Sequence, residues 1–186
     1  MERESLNLLN GLNRAIIKFR GVYSQWSSEH GISYHEMLVL YTIREHGYCT
    51  QKQICERYIL PKQTINNVIV AMRKAGILIP DDNHSKGKEK AFILSRQGEA
   101  YAAPFLKSLD TVENRALEQL GKEKLQALTD LLLEYDLALN AAMEALSQKL
   151  ADAQAALEKA ESALAMYEMS DKTEQAFADL AISNSD

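Results

Sequence analysis

The stretch YILPKQTINNVIVAMRKAGIL, Tyr58 to Leu78, decides how this chain is read. Pro61 has a backbone angle suited to a helix start and lacks only an N–H that a first turn leaves unpaired anyway. After it Ile65, Val68, Ile69 and Met72 recur at helical spacing, and Gly76 ends the run, which predicts a helix from Pro61 to Ala75. Its other side carries Lys62, Gln63, Thr64, Asn66 and Asn67 over the first two turns, and Arg73 further on. Such a helix has one side to bury and a polar, cationic end to present.

That end is unexpected in a chain of formal charge −5. The charge is unevenly spread. Residues 1–49 balance five basic against five acidic residues, and residues 50–98 hold nine basic against four acidic, a local +5. Residues 99–186 hold seven basic and seventeen acidic, a local −10. The positive charge gathers around the opening stretch, where an anionic polymer would bind.

Working outward, Leu6, Leu9, Leu12, Ile16, Phe19, Tyr23 and Trp26 repeat at threes and fours, predicting an amphipathic helix that ends near Gly31. Ser33 with Glu36 has the spacing of a capping box and opens a second helix that Gly47 stops. Thr50 with Gln53 repeats the signature and opens a short helix to about Tyr58, with Gln51 on its exposed first turn. Downstream, ILIPDDNHSKGKEKAFILS places a polar, lysine-rich turn between two apolar runs, a β-hairpin signal in which Pro80 points to an edge strand. After Gly98 the pattern is helical from Tyr101 to Leu120, breaks at Gly121, and resumes from Lys122 to at least Leu150.

The class is therefore mostly α. Helix, short helix, helix and hairpin in that order make a winged helix-turn-helix, whose second helix enters the major groove of DNA with its N-terminal residues at the base edges. Gln and Asn make paired hydrogen bonds to adenine, and Lys reaches guanine or phosphate. Thr50, Gln51, Pro61, Lys62, Gln63, Thr64, Asn66, Asn67 and Arg73 are the candidate contacts there. Lys86, Lys88 and Lys90 around Gly87 form a cationic wing tip that can reach phosphates or a minor groove.

These elements resemble the MarR family of bacterial transcription regulators from about Leu6 to Leu146. The similarity rests on ISYHEMLVLYTIREHGYCTQKQICERY, LPKQTINNVIVAMRKAGIL and FILSRQGEAY. The resemblance implies a homodimer on a pseudo-palindromic operator, acting as a repressor. It divides the chain into a dimerisation helix (1–31), a winged helix-turn-helix lobe (32–98), C-terminal dimerisation helices (99–146) and a helical extension (147–186). It also implies release by a small aromatic or phenolic ligand between lobes, for which Tyr23, Trp26, His30, His35 and Met37 are the candidates. One departure stands out: where the family's wing carries Asp-x-Arg, this chain has Lys86-Gly87-Lys88. Lysine lacks arginine's planar fork, so generic phosphate contact is expected of this wing.

Rival readings are a winged-helix protein-interaction module that binds no DNA, and a PadR-like regulator, against which the long helix before Ser33 argues. No nucleophile–base pair or phosphate loop is present, so an enzyme and a cofactor are not expected. His30, His35, His46 and Cys49 match no zinc spacing. No run approaches the roughly 20 apolar residues of a membrane helix. The N-terminal MERESLNLLNGLNR has no signal-peptide core, and two cysteines, Cys49 and Cys55, suit the cytoplasm with both thiols reduced.

The C-terminal segment carries a further pattern. Leu128, Leu132, Tyr135, Leu139 and Ala142 alternate fours and threes, and Leu146, Leu150, Ala153, Leu157, Ala160, Leu164 and Tyr167 continue after one 4-4 irregularity. This spacing suits either a coiled-coil seam or an alanine-rich helix folded back on its own body. The last residues, ISNSD, are expected to fray.

Overall fold

The computed structural model describes residues 2–183, with side chains through residue 167 and at residue 169. The order is α1 (Arg3–Glu29), α2 (Tyr34–His46), β1 (Cys49–Thr50), α3 (Gln51–Tyr58), α4 (Lys62–Lys74), β2 (Leu78–Lys86), β3 (Glu89–Leu94), α5 (Arg96–Leu120) and α6 (Lys122–Ser183). The chain divides into two compact units, up to Ala116 and from Leu117 onward. Of the tail expected to fray, Asn184 to Asp186 lie outside the described residues.

In the first unit, α2, α3 and α4 close around Val39, Leu40, Ile54 and Ile65, which are nearly or wholly buried. The two capping signatures behave differently. Thr50 and Gln53 form the complete box, each side chain accepting from the other's backbone N–H. Ser33 accepts from the Glu36 N–H, but the Glu36 carboxylate accepts from the Tyr101 hydroxyl on α5 at 2.8 Å, so that box is half closed. Tertiary packing has taken the second half of the local motif. Burial first, then this bond to Glu36, pushes the Tyr101 phenol up to about 12.

Pro61 caps α4 rather than opening it: its φ of −60° and ψ of 132° are extended, and the helix starts at Lys62. Before it, Ile59 turns the chain between α3 and α4 at φ 51° and ψ 56°, while 88% exposed. A β-branched residue is poorly suited to this left-handed region.

The expected hairpin is present, and the Cys49–Thr50 pair adds a short third strand to it. The sheet order is β1-β3-β2, all antiparallel, which places Pro80 on an edge strand opposite Phe92. Between the Asp81–Ala91 and Lys86–Glu89 pairs, β2 bulges. Asp81 turns into that bulge, accepting from the Asn83 N–H at 3.0 Å and from His84 Nδ1 at 2.5 Å. The bond from His84 holds its carboxyl below the usual range. The Ser85 hydroxyl donates to the Asp81 carbonyl and accepts from the Ala91 N–H, bridging the gap in the ladder.

The helix expected from Tyr101 starts at Arg96, because Ser95 caps it. The Ser95 hydroxyl accepts from the Gly98 N–H and donates to the Gly76 carbonyl. Gly98 packs so closely that a Cβ there would lie 2.1 Å from the Ile77 carbonyl oxygen.

Two substitutions should therefore move stability in opposite directions. Ile59→Gly relieves left-handed strain at an exposed site and should stabilise by up to about 1 kcal/mol, part of the gain being offset by the flexibility of unfolded glycine. Gly98→Ala forces backbone apart and should destabilise by about 1–3 kcal/mol. Denaturant midpoints at constant slope check both.

Candidate nucleic-acid interface

Ile65, Ile69 and Met72 bury one side of α4, so its polar residues face outward. Lys62, Gln63, Asn66 and Asn67 are exposed, and Thr64 is half-buried. Gln63 Nε2 donates to Asn67 Oδ1 at 2.8 Å, one turn apart. That bond leaves a Gln63 acceptor and an Asn67 donor side by side. Gln51 does not point outward freely: its amide donates to the Lys62 carbonyl at 2.7 Å and ties the start of α3 to the start of α4.

Thr50 does not belong to the outward set. It is 5% exposed, and its hydroxyl both caps α3 and donates to Glu89 on β3 at 2.5 Å. Its role is to fasten the helix-turn-helix to the wing, which the sequence reading missed because the bond spans 39 residues.

The wing lysines separate. Lys88 and Lys90 line an open groove of about 530 Å³ together with Lys52 of α3 and Lys62, Asn66 and Arg73 of α4. Its floor includes Ile69 and Phe92, and the Arg73 guanidinium sits 5.3 Å above the Phe92 ring. Lys86 lines a smaller recess with Tyr48, Thr50, Gln53, His84 and Glu89, where Tyr48 and His84 stack at 4.1 Å. Among the described residues, none of Lys62, Lys86, Lys88, Lys90 and Arg73 forms an ion pair. The wing and α4 thus bring unpaired cations together beside the polar start of α4, while Lys52 of α3 pairs with Glu56, which lines the groove together with Glu89.

A second cluster holds part of the expected ligand set. Tyr23 and Trp26 pack against Met37, Leu38 and Leu109. His30 stacks on Trp26 at 4.2 Å and hydrogen-bonds its backbone. Met37 is 3% exposed and accepts from the Ser27 hydroxyl through its sulfur, so it lies in core. His35 is half-buried and sets its ring edge-on to Tyr34, which packs against the cluster. The Trp26 indole N–H is buried with no partner among the described residues.

The polar centre beside this cluster was not anticipated. Glu113 of α5 accepts from the hydroxyls of Tyr23 and Tyr41, each at 3.1 Å. Arg44 pairs with Glu113 at 3.4 Å and with Asp110, and lies 4.1 Å over the Tyr41 ring. Burial, then the Glu113 charge, raises both phenols. Residues 66 and more apart in sequence meet here, and no local spacing announces them.

No group of three or more His, Cys, Asp or Glu among the described residues is placed to hold a metal ion. No described helix is long and apolar enough to cross a membrane.

Residues 30–87 match the family model described as MarR family. No curated protein sequence matches the chain closely enough to compare. A solved MarR family regulator from Neisseria meningitidis is 25% identical, with a TM-score of 0.64 over 76% of this chain and 98% of that one. A MarR family transcriptional regulator from Listeria monocytogenes, solved with a 26mer DNA, has a TM-score of 0.54 at 16% identity, over 69% of this chain and 85% of its own. Staphylococcus aureus MarR, solved with salicylate and kanamycin, has a TM-score of 0.56 at 15% identity, over 74% and 93%. The latter two share the fold.

The thiols have a testable chemistry of their own. Burial pushes Cys49 up to about 12 and also raises Cys55. Thiolate is the reactive form, so iodoacetamide at pH 8 should leave Cys49 unmodified in the folded protein and label it readily in denaturant. Rapid labelling of Cys49 without denaturant would show that β1 opens.

Proposed function

We propose that this chain, whose residues 30–87 match the MarR family model, is a transcription regulator that works as a cytoplasmic homodimeric repressor on a pseudo-palindromic operator. The observation that carries the reading is the placement of the Gln63–Asn67 pair beside unpaired Lys62, Lys88, Lys90 and Arg73. Base edges need paired donors and acceptors, and phosphates need exposed cations. The free Gln63 carbonyl and Asn67 amide match the donor and acceptor that adenine presents in the major groove. Thr64 adds a methyl and a hydroxyl at the same helix start. The Listeria structure with DNA supports the same use of the fold.

Dimerisation is supported by apolar side chains that the single chain leaves exposed. On α1, Leu8, Ile17, Phe19 and Val22 are at least 61% exposed, and α6 exposes Leu131, Leu133 and Leu137. Apolar surface of that kind marks an interface.

An aromatic acid is the effector class proposed for the Tyr23–Trp26 cluster, with His30 at its edge. Its carboxylate would compete with Glu113 for the two tyrosine hydroxyls and Arg44. A ligand that binds better to a form misfitting the operator would release DNA, and by linkage the operator would weaken ligand binding equally. The salicylate complex of the Staphylococcus aureus relative supports this class.

Replacing Gln63 or Asn67 by Ala should cost about 1–3 kcal/mol on the operator and little on random DNA. Gel-shift titrations with the protein's own upstream DNA and a scrambled duplex measure this; equal losses on both would remove these residues from base reading. Changing Lys88 and Lys90 to Ala should flatten the plot of log K against log salt by up to about two units per subunit. An unchanged slope would take the wing off the phosphates.

Titration with salicylate should give a saturable change in the fluorescence of Trp26, the chain's single tryptophan, and should weaken operator binding in parallel. A flat signal and unchanged operator affinity across a panel of aromatic acids would leave the cluster as packing.

A further inference from the structure

α6 runs unbroken for 62 residues, about 93 Å at 1.5 Å per residue, so it does not fold back upon itself. From Met143 onward one stripe follows a strict three–four spacing: Met143, Leu146, Leu150, Ala153, Leu157, Ala160, Leu164 and Tyr167. No charged residue interrupts it. Its leucines are 59–64% exposed, Met143 61% and Tyr167 71%. The opposite side is polar and locally satisfied, with Gln148 donating to Asp152 and Ser162 to the Glu158 carbonyl. A long helix with one uncharged heptad seam and a polar back is built for a helical partner.

We propose that residues Met143 to Tyr167 pair antiparallel with the same segment of a second copy of this chain. The seam is self-complementary about Ala155. In that register Met143 of one copy faces Tyr167 of the other, Leu146 faces Leu164, Leu150 faces Ala160 and Ala153 faces Leu157. The inner layers then each combine one leucine with one alanine and fill evenly. A parallel pair would instead stack Ala153 on Ala153 and Ala160 on Ala160 between leucine layers, leaving alternate layers underfilled and losing contacts there.

The flanking positions agree with this partner. Ser147 faces Glu161, Lys149 faces Ala163, and Gln154 and Ala156 each face their own mates, so no like charges oppose one another. Alanine at positions 142, 156 and 163 on one flank permits close approach. Eight seam positions from each copy bury about 1,200 Å² in total, the lower end of what stable interfaces bury. The pairing requires nothing of the winged-helix lobe and stands independently of DNA binding.

Spin labels on the outer, polar side report the arrangement without touching the seam. Full-length Gln148→Cys, Ala155→Cys and Ser162→Cys variants are labelled singly, with the unsubstituted chain as a blank for buried Cys49 and Cys55. Pulsed electron resonance distances between copies should be shortest at Ala155. At Gln148 and Ser162 they should be longer and equal, since each label is offset from its mate by fourteen residues, about 21 Å along the axis. Equal distances at all three sites would mean a parallel pair. A minimum away from Ala155 would mean another register, and no defined distance would mean that other helices hold the copies. Each of those three results overturns the proposal.

Discussion

The burial of Ile65, Ile69 and Met72 is the constraint on which the proposed DNA-facing surface depends. Once these side chains lie in the core with Val39, Leu40 and Ile54, α4 cannot rotate about its axis without exposing them. Its polar residues are then committed to one direction. The Gln63–Asn67 bond narrows the choice further, because it uses one donor and one acceptor and leaves a defined complementary pair. A hydrophobic core thus sets the direction in which the polar side of α4 faces, and on the proposed reading its binding groups are preorganised before any ligand arrives.

A wing must hold its position relative to that helix if both are to engage the same duplex. Thr50 supplies the connection. Its backbone belongs to β1, which pairs with β3, while its hydroxyl caps α3 and reaches Glu89. Gln51 then ties α3 to the start of α4. Two adjacent polar residues that look like surface contacts in the sequence are structural fasteners. The Asp81–His84 bulge and the Ser85 bridge hold the far strand of the wing by comparable means.

The Tyr23, Tyr41, Arg44 and Glu113 cluster links α1, α2 and α5 through a partly buried carboxylate. Such a network is costly to leave half-satisfied, so it favours one arrangement of the three helices. It is also the kind of element that a competing anion can bias, because every bond in it is one that a carboxylate ligand could take over. Structural rigidity and regulation would then use the same side chains.

Much of this molecule was readable in order along the chain. Periodicity at Leu6–Trp26 and Ile65–Met72 located helices, since burial on one face forces a 3.6-residue repeat. The Thr50–Gln53 spacing, Gly47 and Gly76 marked ends, because unpaired backbone groups need local partners or a left-handed turn. Charge division placed the cationic lobe. Tertiary structure alone decided which polar residues remain available. Glu36 left its capping box for Tyr101, Thr50 went to Glu89, and Lys86 parted from Lys88 and Lys90. Glu113 gathered partners from two other helices with no motif to announce it. The physical reason is common to Glu36, Thr50 and Glu113. A local repeat records which side of an element is buried, whereas a long-range hydrogen bond depends on which elements meet, and that is settled only when the chain packs.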